Sequence, residues 1–149
     1  MRTKKRFDTE TGKKRHIGAP LRAELAAQQL SSIDPVNKVY YMLDLNVTSN
    51  TTNLIGLSLT DGTVVVNLKI DVPESTMFIG VGQYLAADAS TGCVVIAGLE
   101  PSAGGYRVIQ GCPFSSDAQK WTTVTTVKSP LVALEDTCSV IDSSRGKLL

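Results

Sequence analysis

Histidine and cysteine supply much of the nucleophilic and metal chemistry in proteins, and this chain contains few of either. His16 is the only histidine, and it lies in a stretch without hydrophobic periodicity, where no packed scaffold would hold it as a base. Cys93, Cys112 and Cys138 include no CxxC pair, so a zinc site of the usual spacing is not predicted. We expect all three cysteines to be buried free thiols.

Carboxylates are the remaining candidates for chemistry. Two of them could act together in glycoside hydrolysis, and Glu135 beside Asp136 could hold a hard cation. Most of the acids lie at turns or at solvent-facing strand positions, and the spacing of a calcium loop is absent. The carboxylates considered were Asp44, Asp71, Asp88, Asp117, Glu135 and Asp136. We therefore predict no catalytic residue, no metal, no cofactor and no small-molecule substrate.

Two glycine-containing stretches resemble nucleotide-binding loops only in part. Thr11-Gly12-Lys13 lacks both the earlier glycine of a phosphate loop and the Ser or Thr that follows the lysine. Gly80-Val81-Gly82 lacks the third glycine and the helix of a dinucleotide site. We interpret the second stretch as a bend in a strand instead.

The first sixteen residues, MRTKKRFDTETGKKRH, have the most distinctive charge in the chain. They carry seven Lys or Arg against two acids, hence +5, whereas the other 133 residues carry eight against twelve, hence −4. Such clusters can contact phosphates without reading bases, or can lie on acidic surfaces of neighbouring subunits. A solvated tail is the simplest alternative. The candidate contact residues are Arg2, Lys4, Lys5, Arg6, Lys13, Lys14 and Arg15.

Asp8 and Glu10 divide these basic residues into two clusters. A mixed-charge segment suits a protein surface better than a uniformly basic RNA-binding arm would. The aromatic residues of the body are not interleaved with arginines, as a stacking platform for bases would require. We therefore expect the segment to dock mainly on protein, with phosphate contact as the alternative.

The remaining chain divides by its hydrophobic pattern. Residues 1–19 are predicted to form an extended basic arm, and residues 20–37 a short helix, at about 20–31, followed by a linker. From residue 38 the period changes to two: in KVYYMLDLNV, residues 39, 41, 43 and 45 share one face. Asp61-Gly62 is a strong hairpin signal, and Val64, Val66, Leu68 and Ile70 then predict a strand with those residues inside. Residues 38–142 form the predicted β body, and 143–149 a polar tail.

About eight short strands follow one another between residues 38 and 141, separated by turn signals every ten to thirteen residues. This spacing favours an all-β fold, either a jelly-roll-like β-sandwich or a barrel. No long helical stretch separates the strands, which excludes a parallel βαβ arrangement. The segment after Pro130, LVALEDTCSVI, fits one strand, two short strands or a helical turn.

A basic arm followed by a helix and an eight-stranded body resembles small viral capsid proteins. The stretches GQYLAADASTGCVVIAG and YRVIQGCPF are similar to phage head-decoration proteins in their short strands around tight turns. Both resemblances concern organisation and carry no motif residue. They imply a virion structural protein, either a coat subunit or a decoration protein bound between larger coat subunits.

Three functional classes follow from these patterns. We expect a non-enzymatic structural protein of a virion, whose partners are other copies of itself or a larger capsid protein. The alternative is a nucleic-acid-binding β-barrel that uses the basic arm, although its body lacks excess positive charge. An enzyme is disfavoured by the absence of a scaffolded histidine. Neither a signal peptide nor a membrane-spanning segment is predicted.

Overall fold

The computed structural model of this protein describes residues 2–7, 14–21, 31–46, 49, 51–71, 84–116, 120–128, 141–142 and 147–148. Those residues form antiparallel sheets joined by turns, with one short 3-10 helix at Pro101–Ala103. Two four-stranded sheets make up the body, and two pairs of strands lie toward the chain ends. The prediction of an all-β protein is therefore confirmed.

The first four-stranded sheet consists of strands that follow chain order. It contains β3 (Ser31–Asp34), β4 (Val39–Asn46), β5 (Thr51–Ser58) and β6 (Val64–Lys69), each antiparallel to the next. Tight turns connect β3 to β4 and β5 to β6, where Lys38 and Gly62 adopt the positive φ that such turns need.

The second sheet repeats this meander with the next four strands. It contains β7 (Tyr84–Asp88), β8 (Cys93–Glu100), β9 (Gly105–Gly111) and β10 (Thr122–Lys128). Consecutive strands within each sheet pair directly. The described strands thus form neither a closed barrel nor the two-sheet alternation of a jelly roll, in which consecutive strands exchange between sheets.

The two sheets share one hydrophobic core, as in a β-sandwich. The alternation predicted for β4 is confirmed, since Val39, Tyr41 and Leu43 are buried on the core-facing side. Side chains from both sheets belong to this one cluster, which therefore lies between them. The buried members of this cluster are Val39, Tyr41, Leu43, Leu54, Val66, Ile70, Leu85, Val94, Ile96 and Ile109.

The core requires a glycine opposite an aromatic ring in each sheet. A Cβ on Gly56 would lie 2.8 Å from Cβ of Val66 and 3.1 Å from Cε1 of Tyr41. A Cβ on Gly111 would lie 2.8 Å from two ring carbons of Trp121. The absent side chains therefore make room for Tyr41 and Trp121 against the backbone.

The inside positions predicted for β6 are only partly correct. Val66 and Ile70 are buried, but Val64 is 51% exposed. Leu57 pairs with Val64 and Gly56 pairs with Val66, so Val65 is an extra residue without a partner on β5. This bulge reverses the alternation before Val66 and turns Val64 outward, which a strict period of two cannot anticipate.

The basic N-terminal segment is an antiparallel strand pair in its described parts. β1 (Arg2–Phe7) pairs with β2 (Lys14–Leu21). β3 (Ser31–Asp34) lies where the linker before residue 38 was expected, and it belongs to the first sheet of the body. The helix expected at about 20–31 is contradicted at residues 20 and 21, which belong to β2, and at Ser31, which begins β3, and its residues 22–30 lie outside the described part. The same holds for the bend at Gly80 and Gly82 and for most of the segment after Pro130. There, β11 (Ile141–Asp142) pairs with β12 (Lys147–Leu148).

Specific contacts join the two sheets at both of their sides. On one side, the backbone N–H of Ala87 in β7 donates to Oγ of Ser32 in β3 at 2.9 Å. On the other side, Nε1 of Trp121, just before β10, donates to the carbonyl of Lys69 in β6 at 3.1 Å. The first bond occupies a peptide group at the edge of β7, and the second occupies one at the edge of β6.

Candidate interaction surfaces

The β1–β2 hairpin brings together two basic clusters that are separated in the sequence. Its register places Arg6 directly opposite Arg15 and Lys5 opposite His16. Six of the seven basic residues predicted to make contacts lie on these two strands, and Lys13 lies outside the described residues. Those on the strands are Arg2, Lys4, Lys5, Arg6, Lys14 and Arg15.

Strand alternation divides the charge of this hairpin between two faces. Positions 4, 6 and 15 share one face, and positions 5, 14 and 16 share the other. Like charges directly opposite each other on an antiparallel pair are destabilising. The backbone register thus sets two basic positions, Arg6 and Arg15, directly opposite each other.

Within the described strands, β1 and β2 pair with each other and with neither four-stranded sheet. A short two-stranded hairpin is marginally stable on its own. We therefore expect the stability of this hairpin to depend on contacts outside the β1–β2 pair.

β10 is the most exposed edge strand of the sandwich. Its threonines at 122, 123, 125 and 126 are exposed, and Val124 is 56% exposed. Val124 is also the extra residue of a bulge, because Thr123 pairs with Ile109 and Thr125 with Val108. One row of β10 peptide groups faces away from β9 along this strand.

The other three edge strands are engaged to a greater degree. β3 and β7 adjoin one another through the hydrogen bond between Ser32 and Ala87. In β6, the carbonyl of Lys69 accepts the indole hydrogen bond of Trp121. A strand added to β6 would have to displace that indole at this position.

A buried ion pair lies at the end of β8 and β9. Glu100 is fully buried, and its Oε2 accepts from Nε of Arg107 at 2.9 Å. Oγ of Ser102 donates to the other carboxylate oxygen, and the Arg107 guanidinium also reaches Oγ1 of Thr123 at 3.3 Å. The cluster ties β8, the 3-10 turn, β9 and β10 together, so it is best explained as structural.

Sequence reasoning missed this ion pair, although a signal for it exists. Glu100 continues the inward alternation of Val94 and Ile96, so a carboxylate at that position must be buried. A buried carboxylate calls for a cation nearby. The cation is Arg107, which the pairing of Gly98 with Arg107 places on the neighbouring strand.

A second buried acid organises the first hairpin. Asp34, which is 1% exposed, accepts from the backbone N–H groups of Val36 and Asn37 at 2.9 and 3.0 Å. Nδ2 of Asn37 donates to its other oxygen at 2.7 Å. Burial, and secondarily the charge of Asp34, raises the pKa of the Tyr41 phenol, whose oxygen has no hydrogen-bond partner among the described residues.

The carboxylates considered for catalysis are dispersed. Asp44 lies on β4 opposite Asn53, and Asp71 follows β6 at an exposed position. Asp88 ends β7, where it accepts from the backbone and hydroxyl of Ser90 and from Thr91. Asp117, Glu135 and Asp136 lie outside the described residues. Within the described part of the chain, no three His, Cys, Asp or Glu side chains are grouped to hold a metal ion.

Two short loops share the same turn chemistry. Oδ1 of Asp61 accepts from the N–H and the hydroxyl of Thr63 at 3.0 and 2.8 Å. These bonds lower the pKa of the Asp61 carboxyl, because they stabilise its charged form. Asp88 plays the same part before β8, so these acids shape turns rather than a shared site.

The expectation of three free thiols is wrong for two of them. Cys93 at the start of β8 and Cys112 just after β9 form a disulfide, with Cα atoms 4.0 Å apart. The β8–β9 register pairs Val94 with Gly111, which makes Cys93 and Cys112 the next opposed pair. Their separation of 19 residues gave no local signal, because only the strand pairing brings them together. Cys138 lies outside the described residues.

Comparison with known protein families, with curated proteins and with solved structures found no match for this chain. No helix in the described part of the chain has the length and apolar character needed to cross a lipid bilayer. The function is therefore inferred from the β1–β2 hairpin and from the exposed edge strand β10.

Proposed function

We propose that this protein is a structural subunit of a virion, either a small capsid subunit or a decoration protein on a coat lattice. In this role the sandwich is the rigid body, and the β1–β2 hairpin is a docking element. The observation that carries the proposal is the hairpin register, which pairs Arg6 with Arg15 and gathers two separate basic clusters on one element, where an anionic surface would offset their charge.

The rest of the chain has the complementary charge. Residues 17–149 carry twelve acids against eight Lys or Arg, so a second copy offers a net negative body to this hairpin. Complementary charge guides and orients association more than it adds affinity. A heterologous contact between a hairpin and a neighbouring body can link repeated subunits into a ring or a lattice.

The experiment compares the wild-type chain with Arg6→Gln/Arg15→Gln at low and high salt, using negative-stain microscopy and sedimentation velocity. We expect the wild type to form rings, shells or small closed oligomers at low salt, and the variant to form fewer. A matched control, Lys69→Gln/Lys120→Gln, removes two exposed body charges and should assemble like the wild type. Assembly that is equal in all three proteins would contradict a docking role for the hairpin.

A second candidate is contact with nucleic-acid phosphates, and one observation favours it. The register places positions 4, 6 and 15 on one face of the hairpin, although Arg15 is distant from Lys4 and Arg6 in the sequence. Phosphate contacts lose affinity steeply as salt rises. Fluorescence anisotropy with a nonspecific DNA duplex at two salt concentrations separates the candidates. Salt-dependent binding that Arg6→Gln/Arg15→Gln weakens supports this one, and no binding at low salt removes it.

A further inference from the structure

We propose that two copies of this chain pair through β10, so that their second sheets continue across the interface. This inference deepens the proposed structural role, on which it rests for the expectation that copies meet. Its surface is separate from the basic hairpin. The occupant is a second copy of β10 in antiparallel orientation, held by main-chain hydrogen bonds.

Three of the four edge strands of the sandwich already contact another part of the chain. β3 and β7 adjoin each other, and Trp121 occupies the Lys69 carbonyl on β6. β10 has β9 on one side, and its side chains at 122–126 and at 128 are exposed. Its outward peptide groups can satisfy those of another strand without disturbing a contact that the structure shows.

The residues of β10 are also compatible with pairing against a second copy of β10. From Thr122 to Thr126 the strand is uncharged, so a copy of itself meets no like charge there. A two-fold pairing centred on Thr125 would set Lys128 opposite Thr122 of the second copy, and thus no lysine directly opposite a lysine. Threonine pairs across antiparallel strands are favourable neighbours. A threonine-rich strand therefore suits its own copy.

Bulges often protect an edge strand from pairing with another strand, but the bulge in β10 is local. The bulge affects only Val124, while Thr125–Lys128 remain in regular register with Val108 to Gly105. In a pairing centred on Thr125, these four residues of one copy lie opposite Thr122–Thr125 of the other, so one of the two strands is regular at each position and Val124 lies opposite Thr126. The exposed Val124 adds an apolar side chain that such pairing would cover.

The experiment uses the full chain with Arg6→Gln/Arg15→Gln, in high salt, so that assembly through the hairpin does not contribute. Sedimentation velocity over a wide concentration range should show a monomer–dimer equilibrium. Adding Thr125→Lys should weaken the dimer about tenfold or more, because it sets two lysines against each other at the two-fold axis. Thr60→Lys, at an exposed threonine in the β5–β6 turn, is the matched control and should leave the dimer unchanged.

Cysteine cross-linking provides a readout that does not depend on the stability of the lysine variant. Thr123→Cys, Thr125→Cys and Thr126→Cys are compared with Thr60→Cys under mild oxidation on non-reducing gels. All four retain the native cysteines and so share one background. A covalent dimer that peaks at one β10 position supports the pairing. A monomer at every concentration, a dimer insensitive to Thr125→Lys, or cross-linking no stronger than that of Thr60→Cys would each overturn it.

Discussion

Arg107 donates through Nε to Oε2 of Glu100 at 2.9 Å, and this carboxylate has no exposed surface. The two residues are seven apart in sequence and lie on adjacent strands, with the 3-10 turn between them. Buried charges are costly unless they are paired, so the position of each residue depends on the other. The pair anchors the end of the β8–β9 hairpin.

Replacing Arg107 with Met should destabilise the protein by about 2–4 kcal/mol, because the buried Glu100 carboxylate loses its guanidinium. Chemical denaturation measures the change in the free energy of unfolding. Glu100→Gln/Arg107→Met should recover part of that loss, since it also removes the charge. If the double variant is as unstable as the sum of the two single variants, the ion pair does not carry the effect.

Replacing Gly56 with Ala should cost about 1–3 kcal/mol, because the new methyl group would overlap Val66, Val39 and the Tyr41 ring. Thermal unfolding followed by circular dichroism checks this. Gly104→Ala is the comparison: open space surrounds it, so its cost comes only from the φ of +66° and should be about 1 kcal/mol. A cost at Gly56 no larger than the cost at Gly104 would argue against tight packing there.

The disulfide predicts a thiol count. Alkylation of the denatured, unreduced chain should modify one cysteine, and alkylation after reduction should modify three. Cys93→Ser/Cys112→Ser should lower the free energy of unfolding by about 3 kcal/mol, the expected effect of a cross-link closing a loop of this length. Cys138→Ser is the control for the thiol count, and it should show no reactive thiol before reduction. Three reactive thiols in the unreduced wild type would rule out the bridge.

Tyr41 predicts a dependence of stability on alkaline pH. Burial, followed by the charge of Asp34, raises the pKa of its phenol above the ordinary value of 10.0. Between the unfolded and the folded pKa, the unfolded chain binds fewer protons than the folded one. The contribution of Tyr41 to the free energy of unfolding is therefore complete below pH 10, and it decreases as the pH rises from there toward the folded pKa.

The Tyr41→Phe variant tests this directly. Its free energy of unfolding should fall less than that of the wild type between neutral and strongly alkaline pH, as measured by urea denaturation. Tyr40→Phe, on the neighbouring half-buried tyrosine, controls for the general effect of removing a phenol. Identical alkaline slopes for the wild type and Tyr41→Phe would contradict the buried, protonated phenol.

Much of the fold could be predicted from local pattern. Val39, Tyr41 and Leu43 alternate with Tyr40 and Met42, which pack in a separate hydrophobic cluster, and that period is a property of the strand itself. The turns at Asp61-Gly62 and after Asp88 also depend on nearby residues, because an Asx side chain bonds backbone two or three positions away. The all-β class follows from many such local signals.

The sequence-based predictions failed where the position of a residue depends on a partner far away in the chain. Val64 faces solvent because a bulge opposite Gly56 shifts the register. Cys93 meets Cys112, and Arg6 meets Arg15, only because particular strands pair in particular registers. Sequence spacing alone does not contain this pairing, since it is selected by the packing of whole strands.

The sequence by itself determined the class of fold, the main core face of β4, the turn residues and the charge difference between the N-terminal segment and the body. Only the tertiary structure decided which charges oppose one another, which cysteines join, and that β10 has the most exposed side chains among the described edge strands. The physical reason is range. Periodicity and turn chemistry act within a few residues, whereas edges, registers and buried ion pairs arise from contacts between strands far apart in the chain.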